Sequence, residues 1–171
     1  MTAALEPRII EEPGNGTLEI FPLEPKEETL ISLMTEFFRD HWNKIHFGPL
    51  DGYLTVDFGA WHFHLCIGEH KGSKNKPVDP ELARHRRTAR AEFYRRLNPD
   101  GTVGSWGFRL FNGKDENQIY IFLPNPFLSD DMRFLKQPDW SRLALWDDLR
   151  RRYLGLPPDP KDRSGKTMFH G

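Results

Sequence analysis

The stretch Gly59-Ala60-Trp61-His62-Phe63-His64-Leu65-Cys66-Ile67-Gly68-Glu69-His70 decides how this chain is expected to fold. Large apolar residues occupy every second position from 61 to 67, and the positions between them hold His62, His64 and Cys66. Successive side chains of a β-strand point to opposite faces, so a strand here separates the two sets. The pattern therefore predicts one face for the core and one face of metal-ligand residue types.

The segment from Tyr53 to Phe58 alternates in the same way and supplies a partner strand. If Gly59-Ala60 forms a two-residue hairpin turn, the turn sets the register of the pair. The predicted cross-strand pairs are Asp57 with His62, Thr55 with His64, and Tyr53 with Cys66. The apolar residues of both strands then share the opposite face, which supports the hairpin.

The remaining periodic segments predict an α+β fold. In chain order they are an edge strand over 17–23, helices over 26–42 and 79–97, a second hairpin over 105–111 and 118–123, and a last helix over 140–154. Consecutive hairpins imply an antiparallel sheet, and amphipathic helices need an apolar sheet face to cover. We therefore expect a two-layer domain, with an antiparallel sheet built from the two hairpins, joined at its edge by 17–23 and covered by about three helices.

The length and composition are those of a single globular domain. The chain has 171 residues, 37% of them apolar, and domains of this size bury roughly 70% of their unfolded surface. We assign the domain to 17–156. The Pro-, Glu- and Gly-rich segment 1–16 is expected to be a flexible arm, and 157–171 a flexible tail.

The charge and the cysteine content limit the kinds of partner and the compartment that we expect. With 24 basic and 25 acidic side chains the formal charge is −1, which gives no overall field for nucleic acid or an anionic membrane. A single cysteine excludes an internal disulfide, and the chain lacks a signal segment and any run of 18 apolar residues. These features predict a cytoplasmic protein with a small-molecule partner rather than nucleic acid or a membrane.

The two histidines are the first candidates for chemistry. Imidazoles two apart on a strand project to one side, roughly 7 Å apart at the Cα atoms, and can share a metal ion. A carboxylate from Asp57 on the neighbouring strand, or from Glu69, would complete a two-histidine, one-carboxylate site. Such a triad leaves coordination positions open for substrate and dioxygen.

The sequence His62-Phe63-His64, four residues and then Glu69 resembles the first metal motif of cupin oxygenases, a His-x-His with a Glu four or five positions later. The resemblance implies a mononuclear iron or manganese oxygenase. Segments 61–68 and 105–111 are also similar to small uncharacterised bacterial proteins, from which no residue role follows.

Two arginines are candidates for orienting an anionic substrate. Arg109 projects from the histidine face, flanked by Tyr120, if the two hairpins are neighbours in one sheet. Arg86 falls in the apolar stripe of the helix predicted over 79–97, where a guanidinium must meet an anion or a carboxylate. Either arginine is equally accounted for by a structural pair with an acidic side chain.

The predicted function is a small cytoplasmic metal-binding protein holding iron, or alternatively manganese or zinc. It would act as an iron-dependent oxygenase-like enzyme on a small anionic or aromatic molecule, with Arg109, Tyr120 and Arg86 at the substrate.

Other hypotheses stay open. In one, the polar face is open to solvent; in another, a hydrogen bond between Asp57 and His62 satisfies its polar groups without a metal. Cys66 is a nucleophile activated by the imidazoles, or a small buried hydrophobe. The chain is a non-catalytic module for a small molecule or a protein, or an RNA-binding factor that uses Arg87 and Arg95.

Overall fold

A computed structural model describes residues 5–166 of the chain, and at 45–49 it describes the backbone alone. The strands are β1 (Arg8–Glu12), β2 (Gly16–Leu23), β3 (Ile45–Leu50), β4 (Tyr53–Asp57), β5 (His62–Cys66), β6 (Gly72–Ser73), β7 (Lys76–Pro77), β8 (Thr88–Leu97), β9 (Val103–Asn112) and β10 (Asn117–Phe122). The α-helices are α1 (Glu27–Thr35), α2 (Pro80–Arg86) and α3 (Ala144–Leu149). Further helical turns are a π-helical segment Glu36–His41 after α1, a 3-10 turn Trp140–Leu143 before α3, a π-helical segment Arg150–Leu154 after α3, and a 3-10 turn Pro160–Arg163.

The strands form three sheets. Their orders are β1-β2-β8-β9-β10, β3-β4-β5 and β6-β7. The α+β class with an antiparallel main sheet is confirmed. The two predicted hairpins, β4–β5 and β9–β10, belong to separate sheets and not to the single sheet we expected.

The described chain divides into two compact units. The first contains the chain up to Leu23, Glu92–Arg109 and the chain from Tyr120 on; the second contains Glu24–Ala91 and Leu110–Ile119. None of the helices in the described residues combines the length and apolarity needed to cross a membrane.

The β4–β5 hairpin has the predicted register. Asp57 lies opposite His62, and the pairing continues through Thr55–His64 to Tyr53–Cys66. The Phe58 N–H donates to the carbonyl of Trp61 at 2.7 Å, which closes the two-residue turn. Because side chains alternate along a strand, this register places both histidines on one face.

The helix predicted over 79–97 is wrong beyond its first two turns. Asp79 caps α2 as expected, accepting the N–H groups of Glu81 and Leu82, but α2 ends at Arg86 and β8 follows. β8 lies between β2 and β9, and seven of its ten residues are buried. A strand buried on both faces has no period-two alternation, and its charged residues were mistaken for the polar side of a helix.

The first unit packs its C-terminal helix against the five-stranded sheet. Trp146 of α3 meets Phe21 of β2 edge-to-face at 6.0 Å and Phe93 of β8 at 6.2 Å, and all three side chains are buried. Edge-to-face aromatic packing contributes about 1 kcal/mol per pair beyond the area it buries.

The tail predicted to be flexible is ordered where it carries Asp162. The Asp162 side chain is 0% exposed and lies in the 3-10 turn Pro160–Arg163. It accepts hydrogen bonds from Arg95 Nη1 at 2.9 Å, Trp106 Nε1 at 2.8 Å and Trp146 Nε1 at 2.8 Å. Arg95 is buried in this network and does not lie on the solvated face where the RNA hypothesis placed it. Residues 167–171 lie outside the described part of the chain.

The arm predicted over 1–16 is ordered from β1 on. β1 pairs with β2 in antiparallel register, from Arg8–Ile20 to Glu12–Gly16. The glycines that indicated a flexible segment form the connecting turn, where Gly14 and Gly16 have φ angles of +80° and +73° that favour glycine. Residues 1–4 lie outside the described part.

In the second unit α1 and its π-helical continuation occupy most of the helix predicted over 26–42. Phe38, 0% exposed, packs edge-to-face on Phe63 of β5 at 5.9 Å. This contact joins the helix to the apolar face of the three-stranded sheet, opposite the face that carries the histidines.

We expect Asp162→Ala to lower the free energy of unfolding by about 3–5 kcal/mol, because it leaves buried N–H donors of Arg95 and two tryptophans without their acceptor. Urea unfolding followed by tryptophan fluorescence measures the loss. The control is Asp130→Ala, which removes an exposed pair with Arg142 and is expected to cost less than about 1 kcal/mol. Equal losses in the two variants would contradict the role assigned to Asp162.

We also expect the first unit to lose stability in acid through Glu19 and Asp159. Burial alone would raise the pKa of Glu19 and of Asp159, but hydrogen bonds and charges, including those of Arg95, outweigh it and lower both from their ordinary 4.5 and 3.8. A lowered folded-state pKa adds stability that is present above the ordinary pKa and is lost as the pH falls through the folded-state pKa. Urea unfolding between pH 6 and 2.5 should show a smaller acid loss in the Glu19→Gln, Asp159→Asn double variant than in the unmodified chain; parallel curves would refute this.

Candidate metal centre

His62 and His64 stand side by side on the outer face of β5. Both side chains are exposed, and their ring centroids are 5.2 Å apart at an interplanar angle of 74°. The alternation of the strand places them together, as the sequence predicts. Two imidazoles in this arrangement can approach one ion from the same side.

Thr55 holds the His64 ring from the neighbouring strand. Its hydroxyl oxygen lies 2.8 Å from His64 Nδ1, and the Thr55 side chain is buried. In the tautomer whose Nδ1–H donates to Thr55, the Nε2 lone pair is the metal-binding group. Metal-bound histidines commonly have their second nitrogen fixed in this way, which orients the ring. Thr55 was predicted to lie opposite His64, but its orienting role was not.

Asp57 lies directly opposite His62 and also shapes the turn. Its Oδ1 accepts the N–H of Gly59 at 2.7 Å. Gly59 has a φ angle of +94°, which favours glycine. Asp57 is therefore next to the histidine pair, with one carboxylate oxygen engaged in closing the hairpin.

Glu69 lies beyond the end of β5, and its carboxylate is 3.6 Å from Lys71 Nζ. Its backbone N–H donates to the carboxylate of Glu27 at 3.3 Å. Across residues 5–166, no group of three or more His, Cys, Asp or Glu side chains is arranged to hold a metal ion. Among the described side chains, the arrangement that the structure presents for a metal ion is therefore the pair of imidazoles.

Tyr53, Cys66 and Arg86 form a second cluster on the polar face. Burial and the neighbouring Cys66 raise the pKa of the Tyr53 hydroxyl, although the hydrogen-bonded Arg86 guanidinium opposes the shift. Burial also raises the pKa of the Cys66 thiol above its usual value. A thiol that resists ionisation is a poor nucleophile, so the structure favours the small buried hydrophobe for Cys66.

His70 and Asp51 form a pair beside Tyr53. The His70 ring packs edge-to-face on Tyr53 at 5.0 Å, and its Nδ1 is 2.7 Å from Asp51 Oδ2. Hydrogen bonds from the backbone N–H groups of Lys71 and Gly72 lower the pKa of Asp51. Sequence reasoning missed this pair, because the only local signal at Asp51-Gly52 is that of a turn.

Arg109 and Tyr120 belong to the five-stranded sheet and not to the sheet of His62 and His64. Arg109 is 1% exposed; it donates to Glu92 at 2.8 Å, to Glu12 at 2.8 Å and to the Tyr120 hydroxyl at 2.9 Å. The face that we predicted these two residues to share with the histidines is not formed. The structure shows the alternative that the sequence left open, a structural ion pair.

The chain matches a family of unknown function, DUF7676, over residues 7–50 and 49–155. This covers most of the chain, and the chain therefore belongs to that family. No curated protein and no solved structure matches it significantly.

We expect Arg109→Met to reduce the free energy of unfolding by about 3–5 kcal/mol, since the 0% exposed Glu92 loses its buried partner. The double variant Arg109→Met, Glu92→Met should lose less than the sum of the two single variants, because removing both charges leaves neither unpaired. Chemical denaturation of the four proteins gives the coupling. An Arg109→Met protein of unchanged stability would show that the network is not the role of this arginine.

Proposed function

We propose that this chain is a binding protein for a divalent transition metal, held by His62 and His64. The observation that carries the proposal is the exposed imidazole pair, with ring centroids 5.2 Å apart, together with the Thr55 hydroxyl 2.8 Å from His64 Nδ1. One ring is thereby oriented for coordination before the ion arrives. Preorientation lowers the ordering cost of binding.

The donor set supports zinc more than iron or manganese. Imidazole nitrogen suits zinc, copper and iron, whereas manganese prefers oxygen ligands. The iron site of a non-haem oxygenase, however, needs a carboxylate beside two histidines. Asp57 is the carboxylate nearest in register, and its Oδ1 is engaged by Gly59. Glu69 is paired with Lys71. The site therefore supports metal binding better than oxygenase chemistry.

A cytoplasmic location is part of this proposal. The one cysteine, Cys66, is free and buried two residues from His64, as is usual in a reducing compartment.

We expect purified protein to bind Zn(II) in isothermal titration calorimetry. His62→Ala and His64→Ala should each weaken binding at least 10-fold, because each removes one of two ligands. Thr55→Val should weaken binding by about 10-fold while leaving the strand intact, since it removes only the group that orients His64.

The matched control is His85→Ala, because His85 is engaged by Glu116 at 2.9 Å on another element. It should leave the affinity unchanged. Circular dichroism of each variant checks that the fold is retained. Absence of Zn(II) binding by the folded, unmodified chain, or an equal loss in His85→Ala, would overturn the proposal.

A further inference from the structure

We infer that the metal site is completed by a second copy of this chain, which pairs along the outer edge of β5. The resulting site is a four-histidine centre made of His62 and His64 from each copy. The inference deepens the proposed function and rests on it. Three observations support it: the backbone geometry of β5, the two imidazoles that the described residues bring together, and the aromatic residues beside the edge.

Within the described residues, no strand pairs with the outer edge of β5. In the sheet order β3-β4-β5, β5 is the last strand. Trp61 and Ile67 form hydrogen bonds with the β4 side, through Phe58 N–H to Trp61 O at 2.7 Å and Ile67 N–H to Gly52 O at 2.9 Å. Hydrogen-bonded pairs alternate in an antiparallel ladder, so the N–H and C=O groups of His62 and His64 point away from β4.

The open edge ends after His64. The next outward carbonyl, that of Cys66, accepts hydrogen bonds from Thr88 Oγ1 at 3.2 Å and Gln118 Nε2 at 3.0 Å. An added strand can therefore pair with the backbone of His62 and His64 but not with that of Cys66. This restricts the registers open to a second β5.

One antiparallel register both forms backbone hydrogen bonds at the edge and brings four histidines together for a metal ion. With the two-fold axis at Phe63, His62 pairs with the partner's His64, and His64 pairs with the partner's His62. Directly opposed residues in a sheet share a face, with Cα atoms about 5.5 Å apart in hydrogen-bonded pairs. The four imidazoles then form a two-by-two array on one face, and a tetrahedral zinc ion takes four such ligands.

The same register gives a partner to an exposed tryptophan. Trp61 is 81% exposed beside the edge, on the face opposite the histidines. In the proposed pairing it lies opposite the partner's Leu65, and the two Phe63 side chains meet across the axis. Burial of a large aromatic side chain contributes to association, whereas a free edge strand with exposed aromatic residues favours uncontrolled pairing.

The test is sedimentation velocity of the full chain with increasing Zn(II), combined with calorimetric stoichiometry. We expect one Zn(II) per two chains and a metal-dependent rise from 20.0 kDa to twice that mass. Trp61→Lys keeps both ligands and places a charge in the apolar contact, so this variant should bind Zn(II) without dimerising. The matched control is Phe122→Lys, which changes a 73% exposed residue on β10, an edge strand of the five-stranded sheet. This variant should dimerise like the unmodified chain.

The outcomes separate the two proposals. One Zn(II) per monomeric chain overturns the inference and leaves the proposed function standing, whereas no Zn(II) binding overturns both. A metal-dependent dimer that survives Trp61→Lys but is lost in Phe122→Lys, or one that survives His64→Ala, also overturns the inference, because the copies then associate elsewhere.

Discussion

The fold depends on the pairing of charges that a central strand buries. Glu92 and Arg95 of β8 are 0% and 2% exposed, and removing such ions from water costs several kcal/mol each unless they are paired and hydrogen-bonded. Arg109 of β9 pairs with Glu92. Arg95 takes its partners from outside β8 and β9, from Glu19 and from Asp162 near the end of the described chain.

This constraint explains how the first and last parts of the described chain are held to the sheet. Glu12 at the end of β1 is bonded to Arg109, and Asp162 in the C-terminal turn is bonded to Arg95. Neither segment carries an apolar pattern strong enough to predict its place in the core. Each carries a carboxylate that a buried guanidinium requires. The positions of Glu12 and Asp162 therefore follow from the ion pairs that the buried arginines of the sheet need, and not from local secondary-structure propensity.

The success and the failure of sequence prediction have the same physical origin. The β4–β5 hairpin was predictable to the residue because a two-residue turn and strict alternation are local properties of 53–67. The strand β8 was not predictable, because the partners that make its charged residues acceptable in a buried strand leave no local signal. The carboxylate that pairs with Arg95, for example, belongs to Glu19, 76 residues away along the chain. The prediction that His62 and His64 lie side by side on one face of a strand also rests on local alternation, and it was correct. Placing Arg109 beside them required knowing how the hairpins assemble into sheets, which no local pattern supplies.

The proposed metal site and an outer strand edge coincide at the same two residues. His62 and His64 present imidazoles that number fewer than a zinc ion takes, and their backbone groups lie on the outer edge of the last strand of a sheet. Proteins usually protect such an edge with charged residues, proline or a bulge. Here the side chains of Thr88 and Gln118 engage the edge at the Cys66 carbonyl. Backbone hydrogen-bonding groups and side chains alternate with the same period along a strand. An antiparallel partner strand that pairs with this edge therefore also brings its own two histidines next to His62 and His64. Strand geometry alone thus links pairing at the β5 edge to the meeting of four histidines, and no further residue is needed.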